Sequence, residues 1–153
     1  MDPIKATLHL ICGLPGSGKS TLAQKLERET SALRFNPDSW LMKIVGTGND
    51  ERARTAIESI QWDIAQKAIS LGIDVILEFG FWSRTERDDY KKIARKLGAK
   101  TKLHYLDVPT VELKLRIEKR NSSLPADGFF VDPNLIDDWA KSFEAPTADE
   151  LVD

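Results

Sequence analysis

Residues 13–20 read GLPGSGKS, a complete G-x-x-x-x-G-K-S pattern, and the chemistry of that pattern is the cradling of phosphate. Gly13, Pro15, Gly16, Ser17 and Gly18 form a loop that can wrap closely, so that successive backbone N–H groups point at anionic oxygens. Lys19 reaches the terminal phosphates, Ser20 offers a hydroxyl to Mg²⁺, and Thr21 extends the set into a helix whose positive end faces the anion. The pattern has this meaning only between a strand and a helix. The apolar run TLHLIC (7–12) and the spacing that predicts a helix from Lys19 to about Glu29 supply that setting.

Two acids follow at places where a phosphate site needs them. Asp38, in RFNPDSW (34–40), has two readings. It starts a helix, with Asn36 as cap, Pro37 in the first position and the carboxylate against the helix dipole. The seven residues leave open whether it also takes a proton from a hydroxyl acceptor as a general base. Glu78 ends the apolar run DVIL, where a carboxylate would orient Mg²⁺ and its waters; the alternative is a charge leaving a buried strand.

In FGFWSR (79–84), Phe79, Phe81 and Trp82 would wall a substrate pocket and Arg84 would grip an anionic or hydroxylated group; core packing and a first-turn arginine explain them equally well. Trp40 is grouped with Trp82 and Arg84 as a shaper of the acceptor pocket. Arg116 and Arg120 share one helix face, either as an anion site for the transferring phosphoryl group or as a solvated face in which Glu112 compensates Arg116.

These residues must be held by alternating strands and helices. ALRF (32–35) is a short second strand, followed by a helix from Pro37 to Val45 and the turn GTGN. Ala53, Ile57, Ile60, Ile64 and Ala68 predict an amphipathic helix over 50–71. IDVILEF (73–79) reads as a strand covered on both faces. Ser83 and Glu86 make a capping box for a helix with Tyr90, Ile93 and Leu97 on one stripe. TKLHYLDV (101–108) is a fourth strand, a helix runs from about Pro109 to Arg120, and a last one from Asp132 to about Phe143. The expected fold is α/β: three layers, a mostly parallel sheet of four to five strands in the order 2-3-1-4, and a short lid at about 120–131. His9 and His104 fall inside strands and read as core or sheet-face residues.

The 153 residues fit one domain, 1–153. A net charge of −2 gives no general pull on nucleic acid, which stays open but disfavoured as a partner. From Asp127 onward eight acids face one base, Lys141, and read as a solvated acidic face. The one cysteine, Cys12, excludes an internal disulfide and reads as a buried thiol. No apolar stretch approaches the ~20 residues of a membrane span, and the first ten residues lack a signal-peptide layout, so a cytoplasmic location is expected. The chain has no N-K-x-D or D-x-x-G motif, which argues against a small GTPase, and it is too small for an AAA+ core with a helical lid domain.

The phosphate loop, together with FNPDSW, ILEFGFWSR, LDVP, ELKLRIEKRN and FEAPTADE, resembles the small P-loop kinases often labelled AAA-type ATP-binding proteins. These are relatives of polynucleotide, gluconate and shikimate kinases and of zeta-toxin-like phosphotransferases. The resemblance covers nearly the whole chain. It implies an ATP- and Mg²⁺-dependent transfer of the γ-phosphate to a hydroxyl of a small molecule or nucleotide, by a monomer or weak dimer. It makes Asp38 the base, Arg116 the adenine-packing arginine and Arg120 a phosphate contact, with Lys19 and Arg120 stabilising the transferred group. A nucleotide-dependent switch without an acceptor, or a 5′-hydroxyl polynucleotide kinase, are the alternatives. The chain departs from polynucleotide kinases at Leu41, where they often carry an arginine, and relatives usually add a strand after the closing motif, so a sheet of four strands or with a minimal fifth is expected.

Overall fold

A computed structural model describes residues 5–126 and 128–152. Four strands form one parallel sheet in the order β2-β3-β1-β4, as the sequence predicts: β1 Thr7–Cys12, β2 Leu33–Phe35, β3 Val75–Gly80 and β4 Lys100–Tyr105. No fifth strand is present among the described residues. The connecting helices are α1 Lys19–Thr30, α2 Pro37–Ile44, α3 Glu51–Ser70, α4 Arg84–Lys96 and α5 Thr110–Asn121. The last expected helix divides into a 3-10 turn, Pro133–Leu135, and α6, Ile136–Ser142.

Alternation along the strands sorts the two faces. Leu8, Leu10, Cys12, Val75 and Leu77 pack with Trp62, Ala65 and Ile69 of α3 and Ala94 of α4. On the other face Ile11 and Ile76 meet Ala23 of α1. The strands are therefore covered on both sides, which is why β1 and β3 read as unbroken apolar runs.

The α3 stripe differs from its expectation. Ile57 and Ala68 are buried, but Ile60 and Ile64 are 52% and 43% exposed, and Gln61, Trp62, Ala65 and Ile69 take the inner face. Ala65 and Ala68 let the helix approach the sheet closely, and that contact rotates the two isoleucines outward. Leu97 of the α4 stripe is likewise 38% exposed.

Because all four strands are parallel, the segments leaving their carboxyl ends share one edge of the sheet. Those segments carry the phosphate loop, Asp38 and the Phe81–Trp82 turn. The pairing of β1 with β3 adds one residue: Leu10 faces Leu77, but Cys12 faces Gly80. The irregularity falls on Glu78 and Phe79, where a bulge re-aims a side chain.

The closing segment is fastened from below. Arg87, fully buried, donates from Nε to Glu150 Oε1 at 2.7 Å and from Nη1 to the Phe81 carbonyl at 2.8 Å. Lys91 donates to the Glu150 carbonyl at 3.1 Å. Phe81 has φ 49°, a conformation that costs a non-glycine residue energy, and the bond to its carbonyl helps hold it.

Candidate active site

The phosphate loop has the geometry the motif requires. Gly16 and Gly18 have φ of 85° and 99°, and a Cβ on Gly13 would lie 2.5 Å from Ser17 Oγ. A Cβ on Gly18 would meet nothing within 4 Å. The Ser17 hydroxyl is buried without a partner. Lys19 Nζ bends back to the carbonyls of Gly13 and Leu14, at 3.2 and 3.0 Å, so its charge is held over the loop. Thr21 is exposed in the first turn of α1.

Burial pushes the Lys19 ammonium down to about 8; Asp38 and Glu78 pull it back up and Arg120 adds to the lowering. All three groups expected around the phosphoryl group therefore act on Lys19. The sign of the pH effect follows. Above about 8 the free loop carries a neutral lysine, which bound phosphate recharges. ATP affinity should be flat below that pH and weaken by up to about tenfold per pH unit above it. Calorimetry at pH 9 in two buffers of different ionisation enthalpy should show proton uptake on binding, and Lys19→Ala should abolish it. No uptake by the wild type would contradict the assignment.

Ser20 Oγ donates to Glu78 Oε1 at 3.0 Å, so the two oxygens expected near Mg²⁺ are adjacent. Among the described residues no three His, Cys, Asp or Glu side chains form a metal-holding group. Two oxygens of this kind fit Mg²⁺, which keeps waters and takes nucleotide phosphates as its other ligands.

Arg34 of β2 grips the same carboxylate, with Nε 2.5 Å from Oε2 and Nη2 3.3 Å from Oε1. Burial raises the Glu78 carboxyl above its ordinary value, while Arg34, Ser20 and Lys19 oppose the rise. Sequence reasoning missed Arg34. The signal was there: Arg34 pairs with Ile76, so strand alternation puts it on the face of Glu78.

The structure places Asp38 at the start of α2. Asn36 Oδ1 accepts from the amides of Asp38 and Ser39, at 2.9 and 3.4 Å, so Asn36 is the cap and Asp38 is in the first turn. Its side chain is 40% exposed and pairs with Arg54 of α3, Nη1 to Oδ1, at 2.5 Å. Arg54, which sequence reasoning also missed, additionally donates to the Gly48 carbonyl at 3.0 Å. Trp40 stands edge-on to Phe35, centroids 6.2 Å apart, at the border of the core.

Arg116 reaches the loop, with Nη1 3.4 Å from the carbonyls of Gly16 and Ser17 and Nε 3.1 Å from Glu112. Arg120 is exposed one turn further along α5. Of the segment expected to form a lid, about 120–131, residue 127 lies outside the described residues. Its base is clasped by Asn121, which bonds both the carbonyl and the amide of Val131 at 2.7 and 3.1 Å.

Four further aromatic and basic candidates make the following contacts, Trp82 in one cluster with Leu14 of the phosphate loop. Phe81 is fully buried and Phe79 packs on Tyr90, so both serve the core. Trp82 lies against Trp139 and Phe143 beside α5 and α6, a different cluster from that of Trp40. Arg84 is engaged with Thr147 at 3.0 Å and Asp149 at 2.7 Å, so it fastens the closing segment. His9 and His104 stack across β1 and β4 with ring nitrogens 2.9 Å apart, as sheet-face residues. Burial pushes the Cys12 thiol up to about 11, which leaves it inert.

The match to known families decides the lineage: residues 8–146 fit the AAA domain family. The chain belongs to the AAA domain family. No curated protein matches it. Among solved structures, a chain of the Pnkp1/Rnl/Hen1 RNA repair complex superposes on this family member with a TM-score of 0.74 at 22% identity. That match covers 92% of this chain but only 45% of the other. A gluconokinase from Sinorhizobium meliloti 1021 gives a TM-score of 0.62 at 14% identity, covering 96% and 79%. The Mycobacterium tuberculosis APS kinase CysC, solved with AMPPNP and APS, gives 0.60 at 20% identity, covering 79% and 71%. At such identities the likeness establishes the P-loop NTPase fold of this AAA domain.

Proposed function

We propose that this AAA domain is a kinase that moves the γ-phosphoryl group of ATP to a hydroxyl of a small-molecule or nucleotide acceptor. The observation that carries this reading is one constellation: Lys19, the Ser20–Glu78 pair and Asp38 stand at the carboxyl ends of three adjacent parallel strands. The loop amides and Lys19 bind the phosphates. Ser20 and Glu78 would hold Mg²⁺, which supplies charge neutralisation at the phosphate oxygens. Arg54 holds Asp38 Oδ1, so Oδ2 is the oxygen that takes the acceptor proton. The acceptor oxygen bonds to the γ-phosphorus, the bond to the bridging β–γ oxygen breaks, and ADP leaves. Arg120 stabilises the transferred charge and Arg116 packs on the adenine. Trp40 borders the acceptor.

Burial pushes Glu58 up to about 7, with Glu86 adding, Arg54 opposing, and Glu51 and Asp38 adding further. Among the described residues no helix is long and apolar enough to cross a membrane. A cytoplasmic, monomeric or weakly dimeric enzyme completes the proposal.

The test is ATP consumption with Mg²⁺ across sugars, nucleosides, aminoglycosides and short 5′-hydroxyl oligonucleotides. One acceptor class should stimulate turnover strongly. Slow, acceptor-independent hydrolysis throughout would instead favour a nucleotide switch.

A further inference from the structure

The turn between α2 and α3 contains a glycine that its backbone does not demand. Gly46 has φ 85°, but Gly48 lies outside the left-handed region. Even so, a Cβ on Gly48 would stand 2.2 Å from the ring of Phe129. The ring is therefore seated on bare backbone, and any side chain there would unseat it. Phe129 belongs to the segment that Asn121 clasps at its base, and that segment continues α5, which bears Arg116 and Arg120. On the far side of the turn, the Gly48 carbonyl accepts from Arg54 Nη2 at 3.0 Å. The other arm of the same guanidinium, Nη1, holds Asp38 Oδ1 at 2.5 Å. Arg54 Nε is 3.8 Å from Glu51, a weaker third contact.

We propose that Arg54 is a positioning residue that ties the seat of Phe129 on Gly48 to the aim of the Asp38 carboxylate. The proposal rests on the reading of Asp38 as the base. The guanidinium is planar and rigid, so fixing one arm on Gly48 fixes the other on Asp38. With the ring in place the turn is held, the carbonyl is held, and the carboxylate has one orientation. With the ring gone the carbonyl drifts and Asp38 loses its second-hand anchor. A displacement of about 1 Å at a reacting group costs on the order of 10²-fold in rate. The lid segment, which shares α5 with the phosphate-side arginines, thus aims the base on the acceptor side.

The test is amide hydrogen exchange of residues 45–50 in the full chain with Mg²⁺ and AMPPNP. Phe129→Ala and Arg54→Gln should each speed exchange of this turn about tenfold. The double variant should go no further than the faster single one, because both break one linkage. Gly48→Ala should reproduce Phe129→Ala. With the acceptor found by the screen, both single variants should lower kcat at least tenfold while KM for ATP stays within about twofold. Arg54→Lys should recover little, since an ammonium cannot span both anchors. Unchanged exchange in Phe129→Ala, or effects that multiply in the double variant, would overturn the linkage. If the linkage holds while Asp38→Asn keeps full turnover, the base assignment fails and the linkage stands.

Discussion

Asp38→Asn should lower phosphoryl transfer by about 10²- to 10⁴-fold while leaving ATP affinity within about twofold. The amide has nearly the shape of the carboxylate but cannot take the acceptor proton. Helix α2 should survive the change, because its cap is Asn36, whose Oδ1 accepts from the amide of residue 38 whatever the side chain there. The lost pairing with Arg54 is partly exposed and contributes no more than about 1 kcal/mol. Kinetics and a melting curve on the same preparation separate the two roles. Wild-type turnover with a lowered Tm would leave Asp38 as a first-turn residue only.

Glu150→Ala should destabilise the fold by about 3–5 kcal/mol, because it strands the Arg87 charge in the interior. Burial raises the Glu150 carboxyl, but Arg87 and the Thr147 amide outweigh it, and the group sits below its ordinary value. The carboxyl is thus depressed in the folded state. Its stabilisation is present above the ordinary glutamate range and lost as pH falls through the folded value. Arg87→Met with Glu150→Leu should recover most of the loss, since an apolar pair leaves no charge unpaired. Denaturant melts at pH 7 and pH 4 check both statements. A Glu150→Ala protein as stable as the wild type at pH 7 would show that the closing segment is not fastened by this pair.

Much of this architecture is legible along the chain, because its signals are local. The phosphate loop needs eight consecutive residues, and the cap at Asn36, the proline at 37 and the acid at 38 are neighbours. The parallel sheet follows from alternating strands and helices. The unread contacts have one physical feature in common: they join residues distant in sequence. Arg54 meets Asp38 from the next helix, Arg34 meets Glu78 across two strands, and Arg87 meets Glu150 at the other end of the chain.

Arg84 and Trp82 have types that suit a pocket, and the contacts they make with the closing segment and α6 are again long-range. Gly48 is the subtlest instance. In GTGN it reads as a turn breaker, and only the ring of Phe129 shows why the second glycine is there.

The most direct test of the account follows the label of γ-labelled ATP with Mg²⁺ and the stimulating acceptor. The account predicts that wild-type protein moves the label onto the acceptor hydroxyl and that Asp38→Asn does not. Label found only in inorganic phosphate, whatever acceptor is present, would contradict it.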